Sequence, residues 1–178
     1  MAVMELSNET IIHAPADRVW HVVAHHFAQI GDWATAIAAS RPLQGSADAG
    51  APADGRVCET GMRMFPHVEE TILVLDERAR TLTYAGAGLP VFVSEARNRW
   101  QVTALGDHRT SVRVDATMKM TGIVGRLLAV PLRLWLTREG KKTLDDLKYY
   151  VEHGRPSPRK QRRLARGGAR SISESEIT

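Results

Sequence analysis

Two neighbouring segments of this chain alternate between apolar and polar residues, and a long helical pattern follows them directly. In residues 92–105, one set of alternate positions is largely apolar and includes Phe92, Trp100 and Val102. Residues 110–121 alternate in the same manner. Side chains of a β-strand point alternately to its two faces, so both segments predict antiparallel strands with one dry face. The one predicted element long enough to cover that face is the helix expected over residues 122–153.

The rest of the chain supplies further strands and two short helices. A first strand is expected over residues 3–12, and Pro15 opens a helix that reaches about Ala28. A second helical turn, a small polar loop and three more strands are expected at residues 29–36, 44–55, 56–64, 67–76 and 80–86. Runs of strands with segregated helices favour an α+β fold. We therefore expect a curved antiparallel sheet that grips one long C-terminal helix.

The basic charge of the chain is concentrated near its end. Residues 155–178 hold seven Lys or Arg and two acidic residues, a net charge of +5, whereas the whole chain is +4, so residues 1–154 carry about −1. Because this segment has few large apolar residues, we expect one domain over 1–154 and a disordered basic tail over 155–178. Most such tails are solvated and passive, although the basic charge also allows weak contact with an anionic membrane. It has no interleaved aromatic residues, so no specific nucleic-acid binding is predicted.

Other features of the sequence narrow its class. Cys58 is the only cysteine, so the fold needs no disulfide. The first ten residues lack the apolar run of a signal peptide, and the apolar stretch 122–136 is shorter than the roughly 20 residues of a membrane span. We therefore expect a cytoplasmic protein. The histidines have no ligand spacing and no phosphate or dinucleotide motif occurs, so neither a metal nor a cofactor is expected.

Several short signatures, taken in their order and spacing, resemble those of a known superfamily. They are IHAPADRVW at residues 12–20, FAQIGDW at 27–33, ETILVLD at 70–76, RTLTY at 80–84 and LDDLKYYV at 144–151. Over residues 3–153 the chain resembles the START-related helix-grip superfamily (SRPBCC), in particular its polyketide cyclase/dehydrase and lipid-transport-like branch. The resemblance implies a START-like, helix-grip fold with an internal cavity for a hydrophobic ligand. It implies no single activity, because such proteins include both carriers and cyclases.

The long helix has two unlike halves. Its second half repeats apolar or small residues at three- and four-residue steps, which predicts a buried face; these are Leu136, Gly140, Leu144, Leu147 and Val151. Its first half, residues 122–135, is small on that face and apolar on the others, and Pro131 is expected to kink it. A helix that is apolar all round is buried, binds a partner or touches a membrane. Core packing, a pocket wall and membrane contact all remain open for this half.

The candidate ligand-binding residues are those that the patterns place near the dry face of the sheet or on the first half of the helix. Asn98 lies among apolar neighbours on the dry face, where a buried amide needs a hydrogen-bond partner. Methionines on strands suit an adaptable pocket, although they suit an ordinary core equally well. The full set is Trp33, Met62, Tyr84, Phe92, Asn98, Trp100, Met118, Met120, Leu127 and Val130.

Three residues are weak candidates for catalysis: Glu70, His67 and Tyr84. The alternation allows Glu70 to point inward, where a carboxyl group acts as a general acid or base, but it fits the opposite face equally well, and a surface salt bridge is the favoured interpretation. We therefore expect a monomer or weak dimer that binds a small hydrophobic molecule, such as a lipid, a polyketide or an aromatic compound. The alternatives are a cyclase/dehydratase-type enzyme and an interaction module that uses the apolar half of the helix.

Overall fold

One antiparallel sheet of seven strands forms the body of the molecule in the computed structural model, which describes residues 2–43, 54–62 and 65–175. Its strands are β1 (Ala2–Ile12), β2 (Ala39–Pro42), β3 (Gly55–Glu59), β4 (His67–Asp76), β5 (Thr81–Ala87), β6 (Val93–Gly106) and β7 (Arg109–Met120). They lie in the order β1-β7-β6-β5-β4-β3-β2. The helices are α1 (Ala16–Trp20), α2 (Ile30–Trp33), α3 (Gly122–His153) and α4 (Pro158–Ser175). A π-helical turn (His21–His25) and a 3-10 turn (Phe27–Gln29) connect α1 to α2.

The predicted α+β architecture is confirmed. Every neighbouring pair of strands is antiparallel, and two short helical segments follow β1. The sequence analysis missed β2, which is only four residues long and pairs with β3. The loop expected at residues 44–55 lies outside the described residues except for its last two positions.

The dry face of β6 and β7 forms the centre of the core. Trp100 lies opposite Val114, and Val102 lies opposite Val112. Trp100, Val102 and Val112 are all buried, as the alternation predicts. They join a core cluster that also contains Ile12 and Leu82. The curved sheet therefore presents a continuous apolar surface to the helices.

The second half of α3 packs on this surface. Leu144, Leu147 and Val151 are buried in the core cluster, so the predicted buried face of the helix is confirmed. Gly154, in the left-handed conformation with φ +66°, ends the helix and donates its backbone N–H to Tyr150 O over 2.8 Å. Among the described residues, no helix is both long and apolar enough to cross a membrane.

The basic segment after α3 differs from the expected disordered tail. Residues 158–175 form α4, and the start of this helix is fixed by side chains that the rest of the fold buries. Lys160 is fully buried and donates its Nζ proton to Ile37 O over 2.6 Å. Asp146 of α3, also buried, accepts hydrogen bonds from Ser157 Oγ at 2.6 Å and from Arg159 Nη2 at 3.1 Å. These polar contacts order a segment that is too poor in apolar residues to order itself. The domain boundary at residue 154 remains a prediction.

Candidate functional site

A cavity of about 590 Å³ lies between the sheet and the first half of α3. Its walls come from α3 and α4, from the segments that follow α2 and β3, from β4, from the loop before β6, and from the start of β6 and the end of β7. The lining residues are Ala36, Ile37, Thr60, Met62, Phe65, Glu70, Leu89, Pro90, Phe92, Val93, Met118, Leu128, Pro131, Leu132, Trp135, Leu136, Glu139 and Arg163. Most of these side chains are apolar, so the cavity is suited to a hydrophobic molecule with few polar groups.

Small residues let α3 leave the sheet at this point. Gly122, with φ +72°, opens the helix, and Thr121 donates its backbone N–H to Phe92 O over 2.9 Å. Gly125 is buried, and a Cβ there would lie 3.2 Å from Met120 Cβ and 3.5 Å from Phe92 O. The first turn thus lies close to the β6–β7 edge, while the next turns carry the larger lining residues. A single helix, α3, therefore forms one wall of the cavity.

A β-bulge at the start of β6 brings two consecutive side chains to the cavity. Val93 pairs with Met120, and the next pair is Glu95 with Lys119, so Ser94 is the extra residue. Strict alternation places Phe92 and Ser94 on one face and Val93 on the other. Instead, Phe92 and Val93 both line the cavity, and Ser94 is exposed. The bulge therefore reverses the predicted positions of Val93 and Ser94.

A buried ion pair supplies the main polar group of the cavity. Arg56 of β3 donates its Nε proton to Glu70 Oε2 over 2.5 Å, and their side chains are 4% and 15% exposed. Arg56 Nη1 also donates to Phe27 O at 2.7 Å, and its guanidinium stacks over the Phe27 ring at 3.8 Å. Burial lowers the pKa of Arg56, but its electrostatic interactions with Glu70, Tyr84 and Cys58 and its hydrogen bond to Glu70 together outweigh burial, so the pKa is raised. Glu70 points inward, so the surface salt bridge that the sequence analysis favoured is wrong.

Two neighbours of this pair are held in their neutral forms. Burial, reinforced by the Glu70 charge, raises the pKa of the Cys58 thiol to about 12. Burial likewise raises the pKa of Tyr84, again with the charge of Glu70 acting in the same direction. The Tyr84 hydroxyl accepts a hydrogen bond from Trp100 Nε1 over 3.2 Å. Neither group is poised to ionise near neutral pH, so neither is suited to act as a base or nucleophile.

Helix α4 closes one edge of the cavity through Arg163. The guanidinium donates from Nη1 to Thr35 O at 2.6 Å and from Nη2 to Thr60 O at 2.7 Å. Gly61, with φ +69°, lies against it, and a Cβ at that position would come within 2.9 Å of Nη2. Arg163 and Thr60 both line the cavity. The segment expected to be a passive tail therefore contributes directly to the cavity wall.

The structure places the predicted site residues in three different surroundings. Four of them line the cavity: Glu70, Met62, Phe92 and Met118. Trp33, Tyr84, Trp100 and Met120 are buried in the protein interior outside the cavity lining, and Asn98 is half-buried on β6. Leu127 and Val130 project from α3 and are 75% and 69% exposed, and His67 is exposed at the start of β4. Ligand contact by any of these residues remains a prediction.

The candidate residues did not include Arg56, Arg163 or the α3 lining residues Leu132 and Trp135, although the sequence left a pocket wall open for this half of α3. Arg56 has a sequence cue, since it stands beside apolar Val57 and Cys58 in a short strand. The inner positions of α3 follow from the helical period once the buried face of its second half is extended backwards. Arg163 has no such cue, because its role depends on where α4 packs.

The described residues contain no group of three or more His, Cys, Asp or Glu side chains arranged to hold a metal ion. Two histidines come together on the π-helical turn, where His21 Nδ1 lies 3.2 Å from His25 Nδ1. His25 Nε2 lies 2.9 Å from Glu77 Oε1. This cluster is on the surface, away from the cavity lining.

A family model described as polyketide cyclase/dehydrase and lipid transport matches residues 4–152. The chain belongs to this family. The match spans the sheet and α3, and it ends before α4. A comparison with curated proteins found no match.

Solved structures share the family's fold. An uncharacterized protein from Bacillus thuringiensis superposes with a TM-score of 0.65 at 16% identity, over 83% of this chain and 98% of that one. The Zhui aromatase/cyclase from a Streptomyces species gives a TM-score of 0.60 at 15% identity, over 85% of this chain and 94% of that one. A norcoclaurine synthase from Thalictrum flavum, in complex with a transition-state analogue, gives 0.62 at 12% identity, over 84% and 94%. At these identities, the likeness shows the helix-grip fold.

Proposed function

We propose that this member of the polyketide cyclase/dehydrase and lipid-transport family binds a small hydrophobic molecule in its internal cavity. The observation that carries the proposal is the cavity of about 590 Å³ between α3 and the sheet, with a mostly apolar lining. Its volume falls within the roughly 300–1,000 Å³ of typical ligand pockets. A lipid, a polyketide or an aromatic compound fits such a site.

The polar groups of the cavity suggest how the ligand is oriented. The Glu70 carboxyl group is held by Arg56 through Oε2 and lines the cavity. Thr60 and Arg163 lie at the edge closed by α4. A ligand with an apolar body and one or two hydrogen-bonding groups satisfies both kinds of surface. This arrangement supports binding or carriage and requires no chemical step.

A cavity-filling substitution tests the proposal. Leu132→Trp places a large ring inside the cavity, and we expect it to weaken binding of the neutral fluorescent probe N-phenyl-1-naphthylamine by about tenfold or more. The control is Leu105→Trp, at an exposed leucine near the β6–β7 turn. Native mass spectrometry of the purified protein then looks for a co-purifying ligand. Equal probe binding by both variants would contradict the proposal.

An enzyme of the cyclase/dehydratase kind is the second candidate, and the position of Glu70 in the cavity favours it. In that reaction a carboxylate removes a proton from a carbon between two carbonyl groups, and the carbanion adds to a further ketone carbon of the same chain. The C=O π bond of that ketone opens to a hydroxyl group, which then leaves as water together with a proton from the adjacent carbon. Neither His67 nor Tyr84 lines the cavity, so Glu70 is the residue to test. A poly-β-ketone substrate and mass spectrometry would report the loss of water.

Glu70→Gln separates the two candidates. In a carrier it leaves probe binding largely intact, whereas in an enzyme it lowers turnover by about 100-fold or more while binding is spared. Assays are run at a temperature where circular dichroism shows the variant folded. The cytoplasmic location, the monomer or weak dimer and the boundary at residue 154 stay predictions.

A further inference from the structure

The outer face of the first half of α3 is an exposed apolar surface. We call it the α3 patch, and it consists of Ile123, Val124, Leu127, Val130 and Leu134, all of which are exposed. Positions 123, 127, 130 and 134 recur at steps of four, three and four, so they form one stripe along the helix. The inner face of the same turns lines the cavity through Leu128, Leu132 and Trp135. A contiguous apolar surface of this kind on a solvent-exposed face of a protein marks a site of interaction with a protein, a ligand or a membrane.

The loop before β6 carries a further exposed apolar side chain. Val91 is 98% exposed, while its neighbours Pro90 and Phe92 line the cavity. The backbone N–H of Thr121 donates to Phe92 O over 2.9 Å, which ties this loop to the start of α3. Exposed apolar side chains therefore occur on two segments that both form the cavity wall.

The charged residues of the first half of α3 are all basic. Arg133 is exposed beside the stripe, and the exposed Arg138 and Lys141 continue it by one further turn. Residues 122–138 contain no Asp or Glu. An apolar stripe bordered by basic residues, with a tryptophan at its edge, is the pattern of a helix that lies in the interface of a membrane.

We propose that the α3 patch docks on an anionic lipid surface, with the axis of the first half of α3 parallel to that surface. The apolar stripe enters the boundary between headgroups and acyl chains, and the basic side chains lie at the level of the lipid phosphates. A second copy of the chain fits less well. A symmetric dimer through this face would bring Arg133 and Arg138 toward their own copies with no acidic residue of residues 122–138 to neutralise them.

Docking in this orientation places the cavity wall against the lipid. The helix that holds the patch is the same helix that separates the cavity from the outside. A hydrophobic ligand then passes between the bilayer and the cavity without crossing bulk water. This consequence rests on the proposed function, whereas the docking itself does not.

Vesicle co-sedimentation of the full chain tests the docking. Two kinds of vesicle are compared: phosphatidylcholine alone, and phosphatidylcholine mixed with phosphatidylglycerol. We expect binding to the mixed vesicles that weakens as NaCl is raised, because exposed charges are screened. Leu134→Asp and Leu127→Asp are expected to weaken it by about tenfold or more. Arg133→Gln is expected to weaken it by about fivefold, the effect of losing one basic residue near a charged membrane.

The matched control is Leu105→Asp, which adds the same charge at an exposed leucine near the β6–β7 turn, and it should bind vesicles as the unmodified chain does. Circular dichroism checks that each variant is folded. Failure of the unmodified chain to bind the mixed vesicles overturns the docking, as does equal binding to both vesicle types. If Arg162→Gln with Arg166→Gln abolishes binding while Leu134→Asp retains it, the binding surface is α4 and the proposal is wrong.

Two further measurements distinguish the other outcomes. Light scattering that shows a dimer dissociated by Leu134→Asp would assign the patch to a second copy and overturn the proposal. N-phenyl-1-naphthylamine binding is measured separately on the unmodified chain. Vesicle binding without probe binding leaves the docking in place and overturns the cavity function, and probe binding without vesicle binding does the reverse.

Discussion

Arg56 donates to Glu70 across 2.5 Å behind a cavity whose other walls are mostly apolar. The two side chains lie on neighbouring strands, where the two residues are paired in register. Because Arg56 is buried on all sides, Glu70 both neutralises it and presents a carboxyl group to any ligand. The stability of the fold and the polarity of the cavity therefore depend on the same ion pair.

Replacing Glu70 with Gln should destabilise the protein by about 3 kcal/mol, because it leaves the buried charge of Arg56 without its partner. The measurement is the free energy of unfolding from urea denaturation. The double variant Glu70→Gln with Arg56→Met should recover most of this loss, since the buried charge is then removed as well. A loss of less than about 1 kcal/mol in the single variant would show that the pair is dispensable.

Cys58 should make the fold sensitive to alkaline pH. Burial first, and then the charge of Glu70, raise the pKa of the thiol from its ordinary value of 9.0 to about 12. The unfolded chain therefore loses the thiol proton at a lower pH than the folded chain does. The free energy of unfolding that the protonated Cys58 thiol contributes is fully present below pH 9. It is lost as the pH rises toward 12, by up to about 1.4 kcal/mol per pH unit. Urea denaturation at several pH values should show a shallower decline in Cys58→Ala, and parallel curves for the two proteins would refute the prediction.

Asp146 should be essential for the attachment of α4. It is buried and accepts hydrogen bonds from Thr35 N at 2.8 Å and from Ser157 Oγ at 2.6 Å. Asp146→Ala is expected to cost about 3 kcal/mol of unfolding free energy, because these donors lose a charged acceptor. The neighbouring Asp145 is exposed, so Asp145→Ala should change stability by less than about 0.5 kcal/mol. Equal effects of the two substitutions would contradict this role.

Arg163 should hold α4 against the edge of the cavity. Arg163→Ala removes two hydrogen bonds to backbone carbonyls, at Thr35 and Thr60. We expect tryptic cleavage within α4 to become about tenfold faster, a change equivalent to about 1.4 kcal/mol. Arg162 is exposed on the same helix, and Arg162→Ala should leave the rate at the remaining sites nearly unchanged. Faster cleavage in both variants would indicate that α4 is not held by this contact.

Much of the fold was accessible from the sequence, because its periodic segments are long. The alternation in β6 and β7 and the three- and four-residue steps of α3 report which side chains are buried, and Trp100, Leu144 and Leu147 lie where the patterns predict. The short strand β2 has too few residues to show a period. The bulge at Ser94 was also hidden, since a single extra residue shifts the alternation without any mark in composition.

The candidate site was less accessible, because its members depend on contacts between distant segments. Glu70 fits either face of β4 when that strand is considered alone. Its ion pair with the buried Arg56 holds its side chain on the inward face. Lys160 and Arg163 belong to a segment whose composition indicates disorder. Their order depends on the carbonyl groups of Ile37, Thr35 and Thr60, more than a hundred residues away in sequence.

The two halves of α3 make different packing contacts with the rest of the molecule. We therefore expect the two halves to differ in local stability. Leu144, Leu147 and Val151 fix its second half in the core, whereas its first half borders the cavity on one side and solvent on the other. Pro131 also has no backbone N–H to donate within the helix. We therefore expect residues 122–136 to unwind or swing outward at a fraction of the free energy of global unfolding. Amide hydrogen exchange should be faster there than in residues 140–152, and under the proposed function ligand entry and exit would follow this local opening while the sheet remains folded.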